Sequence, residues 1–286
     1  ERWRYLRATY LTVAPRHLGV FRVALGLVLL SDLLRRWVEL RIWYTNSGLL
    51  PNHTLLWRPP TNRVFSLFFT ASSEQEATVG FVLCGLVYLA FLLGYRTRLM
   101  QVLMLVARIS LNSRLAVLEN GGDMVLNLLC LLSLPLPLGA RFSLDAVAAS
   151  ERDGRRDAVD WARRPVVSIA VVGLLLQFAT IYLLNAASKN CQAWRDGSAV
   201  HYALHQDKFV TWAGVWMREH LPASTLRYLT WSVLTTEWLG FLLIITPLFV
   251  KAARLTAVCV MPLLHVGFAL GLNLGGFSLA MMAFYP

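Results

Sequence analysis

The sequence predicts an all-α protein: a polytopic transmembrane helical bundle of about seven to eight spans, with two long non-cytoplasmic loops. Three observations carry that expectation. Of the 286 residues, 57% are hydrophobic and only 15% charged, with a mean hydropathy of +0.54; soluble domains are neither so apolar nor so poor in charge. Apolar runs of membrane-crossing length recur along the chain, so residues 1-286 read as a single transmembrane domain. The formal charge of +11 is gathered into clusters between those runs. That placement follows membrane topology, not a basic face interleaved with aromatics, so membrane lipid is the expected partner and nucleic acid is not.

Residues 1–16, with Arg2, Arg4, Arg7 and Arg16, read as a basic, aromatic interfacial segment, too charged for the apolar part of a signal peptide. The first span is expected at 17–34. Arg22 and Asp32 lie within it, and each costs about 2.5–3.5 kcal/mol at a helix centre, so both should face other helices or the interface. Residues 35–75 form a long connection, in which Trp37, Trp43, Tyr44 and Trp57 are interfacial and Pro51, Pro59 and Pro60 break helix. Val64 to Phe69 is too short to span and is expected in the interface, and Asn52-His53-Thr54 matches a glycosylation sequon.

A second span (76–94) and a third (99–117), which carries Arg108, are joined by the basic hairpin Tyr95-Arg96-Thr97-Arg98. The loop at 119–123 turns the chain, with Gly121 and Gly122 supplying positive φ, and a fourth span runs to about Gly139, kinked or stopped by Pro135 and Pro137. Residues 140–164, with Arg141, Arg152, Arg155, Arg156, Arg163 and Arg164, read as a solvated loop containing a short helix. A fifth span runs from Pro165 to Lys189. A second long loop (190–226) is anchored by Trp194, Trp212 and Trp216. The sixth span (228–250) carries Glu237 and the seventh (255–274) carries His265, while residues 275–285 are too short to cross. The short turns at 96–98 and 251–254 carry only basic charge and are therefore cytoplasmic. In a bacterial inner membrane this puts both long loops and Lys189 on the non-cytoplasmic face.

The most informative stretch is 177–197, where Phe178, Tyr182, Asn185 and Lys189 recur at helical spacing and give one stripe a ring, a phenol, an amide and an amine. A lysine at the end of a membrane helix either snorkels to the interface or sits in a partly dry pocket, where a neutral amine can take a proton. Glu237 and His265 are further candidates, since ionisable groups inside a membrane bundle are functional by default. The structural alternative for Glu237 is an ion pair with Arg22 or Arg108. Arg22, Asp32 and Arg108 read as helix-packing pairs. His201 and His205 share a helix face, but no third ligand lies at a metal-binding spacing, and no metal is predicted. Cys84, Cys130 and Cys259 fall in apolar runs, and Cys191 alone lies in a polar one.

Arg22, Asp32, the turn from Tyr44 to Pro51, the Asn120-Gly121-Gly122-Asp123 loop and the series Gln177, Tyr182, Lys189, Trp194 and Gly197 together resemble the HTTM family, the membrane domain shared with vitamin K-dependent gamma-carboxylase. The resemblance covers nearly the whole chain. Its sharpest part is the spacing of Tyr182, Lys189, Trp194 and Gly197, which matches the carboxylase segment containing the catalytic lysine. It implies an enzyme in which Lys189 is the base that deprotonates a reduced quinone of the vitamin K hydroquinone type. Tyr182, Asn185, Trp194, Glu237, His265, Asn273 and Asn120 would then line the substrate or quinol pocket. The chain departs from the carboxylase at Gly121, where the carboxylase has a histidine after the asparagine. A bacterial HTTM member serves production of a sporulation-delaying peptide. That implies the alternative of a maturation factor with a small secreted peptide as partner and no carboxylase activity.

Overall fold

Helices begin and end where side chains satisfy the unpaired backbone groups of the first and last turns. The computed structural model describes residues 1–57, 65–115, 118–152 and 164–284. Expectations resting on Pro59, Pro60, Val64, Val117, Arg155, Arg156, Arg163 and Tyr285 fall outside them. In order, the helices are α1 (Arg2–Leu6), α2 (Pro15–Trp37), α3 (Leu40–Trp43), α4 (Asn52–Leu56), α5 (Glu74–Leu93), α6 (Thr97–Arg114), α7 (Gly121–Ser133) and α8 (Leu144–Arg152). They continue with α9 (Ile169–Ser188), α10 (Gln192–Arg195), α11 (Ala199–Leu204), α12 (Trp212–His220), α13 (Ala223–Ile245), α14 (Val250–Gly271) and α15 (Phe277–Met282). Among the described residues β-structure is limited to two two-residue strands and a bridge between Val210 and Leu272. Five helices, α2, α5, α9, α13 and α14, are long and apolar enough to cross a membrane. By contact the chain divides into two compact units, Val13–Ser168 and Glu1–Thr12 with Ile169–Tyr285.

In the unit Val13–Ser168, Pro15 opens α2 in its first turn, where its missing N–H costs nothing. A capping box between Ser73 and Glu76 starts α5, and Gly94 ends it in the left-handed region at φ 71°. A side chain at that glycine would also stand 2.3 Å from the Ser143 Cβ. Gly94→Ala is therefore expected to lower stability by more than about 1 kcal/mol, read as a lower melting temperature in detergent. Asn120 and Asp123 form a second capping box at the start of α7. Gly121 and Gly122 accordingly lie in the first helical turn and not in a positive-φ loop, which corrects the sequence expectation. The helix ends at Ser133, just before Pro135 and Pro137.

An ion network joins three helices of this unit. Asp32 of α2 accepts from Arg36 Nε at 2.7 Å, from Arg35 at 2.8 Å and from Arg108 of α6. Asp123 of α7 accepts from both Arg36 and Arg108. Tyr44 donates its hydroxyl to the Leu111 carbonyl at 3.1 Å and is fully buried, which pushes its phenol above the usual range. Asp32 and Arg108 thus act as the packing pair that the sequence suggested. Arg22 forms no salt bridge with an acid among the described residues; it donates to the carbonyls of Phe91 and Leu92, at 3.0 and 2.6 Å, and of Phe142, closing the end of α5. Most polar residues of α6 are turned inward: Gln101, Arg108, Ser110, Asn112 and Arg114 are buried, while Arg98 in the first turn is exposed. That inward polar face explains why α6 misses the hydropathy of a span despite its 18 residues. The sequon is not an accessible acceptor, because Asn52 is buried and donates to the carbonyls of Phe69 and Ala71.

In the other unit, α9, α13 and α14 pack against one another, and the N-terminal segment is tied to their ends. Tyr10 donates to the Ile245 carbonyl at 2.7 Å, and Arg254 donates to the Thr9 carbonyl at 2.6 Å. Residues 190–226 are not a loop: they fold into α10, α11 and α12, with Thr211 capping α12 and Pro222 preceding α13. The Asp196 carboxylate accepts from the Ser198 hydroxyl at 2.6 Å and its N–H at 3.0 Å, contacts that hold the carboxyl below its usual range. Residues 275–284 contain only the six-residue α15.

Candidate functional site

Helix α9 ends at Ser188, and Lys189 follows it with its N–H still bonded to the Ala186 carbonyl at 3.2 Å. Its side chain turns back into the unit and is only 16% exposed. Nζ pairs with Oε1 of Glu237 on α13, a carboxylate 4% exposed, and stands 4.9 Å from the centre of the Trp194 ring on α10. Lys189 therefore does not snorkel into water. The partner of Glu237 is Lys189 and not Arg22 or Arg108, a correction that matters because it puts acid and amine in one site.

Nearly two helical turns back along α9, Tyr182 is buried and its hydroxyl lies 2.8 Å from Nε2 of His265 on α14. The His265 ring sits edge-on to Phe268 and Phe277, with centroids 5.9 and 5.7 Å away. Small residues permit this closeness: a Cβ at Gly240 of α13 would stand 2.4 Å from the Met261 methyl and 3.4 Å from the Tyr182 ring.

Beside the Lys189–Glu237 pair lies a cavity of about 530 Å³, within the size range of small-ligand sites. Asn185, Lys189, Trp194 and Glu237 supply its polar or aromatic edge, and Val260, Leu264, Phe268 and Phe277 are among its apolar walls. Four of the residues singled out in the sequence thus meet at one cavity, and Tyr182 and His265 form a buried pair in the same helices. Two others do not line the cavity. Asn273 is exposed and braces a turn, its N–H donating to the Phe209 carbonyl at 2.6 Å and its side chain accepting from Gly275. Asn120 belongs to the unit Val13–Ser168, where it caps α7 at the edge of a recess of about 100 Å³ with Arg36, Tyr44 and Asp123.

Sequence reasoning missed Ser232, Thr236 and Gly267, which also line the cavity. Small and weakly polar residues on an apolar helix carry no signal of their own. The rings of His201 and His205 lie 4.2 Å apart. Among the described residues, no group of three or more His, Cys, Asp or Glu is arranged to hold a metal ion. The chain matches no protein-family profile, no curated protein and no solved structure. Fold and composition define an α-helical membrane protein, and the cavity beside Lys189 is its candidate site.

Proposed function

We propose that the chain is an HTTM-type membrane enzyme that binds a reduced quinone, or another isoprenoid-like lipid, in the cavity beside Lys189 and uses that lysine as proton acceptor. The observation that carries this reading is a lysine–glutamate pair, both partners largely shielded from water, on the edge of an apolar cavity among three membrane helices. Such a pair suits acid–base work. A proton passed from Nζ to Oε1 frees the amine to take the hydroxyl proton of a bound quinol, so that the quinol O–H bond breaks and an N–H bond forms. Apolar walls keep out the water that would compete for that proton. The test is consumption of a chemically reduced quinone by the purified protein in lipid nanodiscs, followed optically under air with and without a CO₂ source. Quinol loss no faster than in empty nanodiscs removes the enzymatic reading.

The same proposal counts α6 and α7 as spans beside the five apolar ones, giving seven, since inward-facing polar side chains lower the hydropathy of α6 without exposing charge to lipid. It sets the Lys189 face outside the cytoplasm of a bacterial inner membrane, on the strength of the basic residues at 96–98 and 251–254, which open α6 and α14. Native Cys191 is exposed and provides a direct test. A membrane-impermeant maleimide on intact cells is expected to label Cys191, with Cys191→Ser abolishing the signal, and to label Tyr95→Cys only after permeabilisation. Equal access to both sites from one side rejects this orientation.

A second reading is favoured by exposed Tyr202, Trp212 and Trp216 on α11 and α12. Aromatic side chains of this kind contact peptides well, and a peptide maturation factor would use them in place of quinol chemistry. Under that reading Trp212→Ala with Trp216→Ala abolishes production of a small secreted peptide in cells, and Lys189→Met does not.

A further inference from the structure

The two oxygens of Glu237 are used differently. Oε1 holds Lys189, whereas Oε2 is buried and has no hydrogen-bond partner among the described residues. A buried acceptor left unpaired costs about 1–3 kcal/mol, so a ligand that donates to it gains a strong preference over one that cannot. Glu237 lines the cavity, and because Lys189 offsets its charge, the pair presents no net charge to an occupant. The rest of the wall is largely apolar. The mouth is marked by exposed residues that line the same space: Ser232 on α13, and Leu263 and Gly267 on α14. Both helices are long and apolar enough to cross a membrane, so under the proposed function this opening is turned to lipid.

We infer that the cavity is entered sideways from the bilayer, between α13 and α14, by a neutral lipid whose hydroxyl donates to Oε2 of Glu237, and that it discriminates against anionic amphiphiles. A fatty acid or phospholipid phosphate would bring a second negative charge to the carboxylate, with its counter-charge on Lys189 already engaged. An ether or ester lipid would leave Oε2 unpaired. A phenol or a long-chain alcohol meets both conditions, with its chain lying along Val260, Leu263 and Leu264 toward the mouth. The inference rests on the cavity being the ligand site of the proposed function, but on no chemistry at Lys189.

Gly267 makes the inference testable without disturbing the fold, because a Cβ added there meets nothing within 4 Å. The full chain in lipid nanodiscs is irradiated with three probes that share one diazirine-bearing alkyl chain: the alcohol, the matching carboxylic acid and the matching methyl ether. Labelled peptides are mapped by mass spectrometry. The alcohol is expected to label the Val260–Gly267 stretch about tenfold more than either the acid or the ether, the ratio that one buried hydrogen bond supports. Gly267→Phe is expected to cut that labelling by a similar factor while leaving the melting temperature unchanged. Equal labelling by acid or ether overturns the inference, as does alcohol labelling that survives Gly267→Phe in a protein that still melts normally. Selective alcohol labelling in a protein that consumes no quinol supports the inference and removes only the enzymatic reading. Quinol consumption with equal labelling by the ether does the reverse.

Discussion

Replacing Arg108 with methionine is expected to lower stability by about 3–5 kcal/mol, because it strands charge in a site built around ion pairs. Arg108 is 1% exposed and is shared by two carboxylates, Asp32 and Asp123, which are themselves nearly inaccessible. With Arg108 gone, Arg36 still faces both acids, but Asp32 keeps only half-exposed Arg35 besides it and Asp123 keeps Arg36. The double variant Arg108→Met with Asp123→Asn removes one charge of each sign and is expected to lose clearly less than the sum of its single changes, since the two groups are in contact. Denaturation by added SDS, followed by near-ultraviolet circular dichroism, reads both effects. A single variant within about 0.5 kcal/mol of the parent would mean that the network contributes nothing to holding α2, α6 and α7 together.

Lys189→Met is expected to reduce quinol consumption by about 10²–10⁴-fold, the usual worth of a positioned proton acceptor. Lys189→Arg separates proton acceptance from charge. A guanidinium still pairs with Glu237 but does not give up its proton at working pH, so this variant should keep the parent melting temperature and lose the same activity. Retained turnover in Lys189→Arg would show that the cation only holds the site together. Glu237→Gln is the complementary change. It removes the group that relieves Nζ of its proton and leaves one acceptor oxygen for both Lys189 and the ligand, so turnover and labelling by the alcohol probe should fall together.

Hydropathy made the long helices legible, and caps refined them. The span expected at 76–94 is α5 at Glu74–Leu93, begun by the Ser73–Glu76 capping box and stopped at Gly94. Of the stripe Phe178, Tyr182, Asn185 and Lys189, read from the 3.6-residue period, the first two are buried and Lys189, just past the helix end, is largely covered, whereas Asn185 is exposed and bonds back to the Ile181 carbonyl. No such period links Lys189 to Glu237, which are 48 residues apart on different helices, so the pairing that defines the site was invisible to spacing. The helices α10, α11 and α12 were hidden for a different reason. Each has nine residues or fewer, and the tryptophans and histidines among them read as interfacial anchors and not as helical turns. Asn120 entered the pocket set through the family resemblance alone, and as a half-buried helix cap its side-chain oxygen is taken up by the first turn of α7.

Asp123 both fastens the first turn of its own helix and completes the charge balance of two arginines made earlier in the chain. The order of synthesis gives this double duty a meaning for biogenesis. As the protein leaves the ribosome, Asp32 and Arg36 already match each other within one emerging helix, but Arg108 arrives before its second acid does. Until α7 is made, Arg108 lacks the second of its two carboxylates, so the network that ties α2 to α6 closes only after Asp123 has been synthesised.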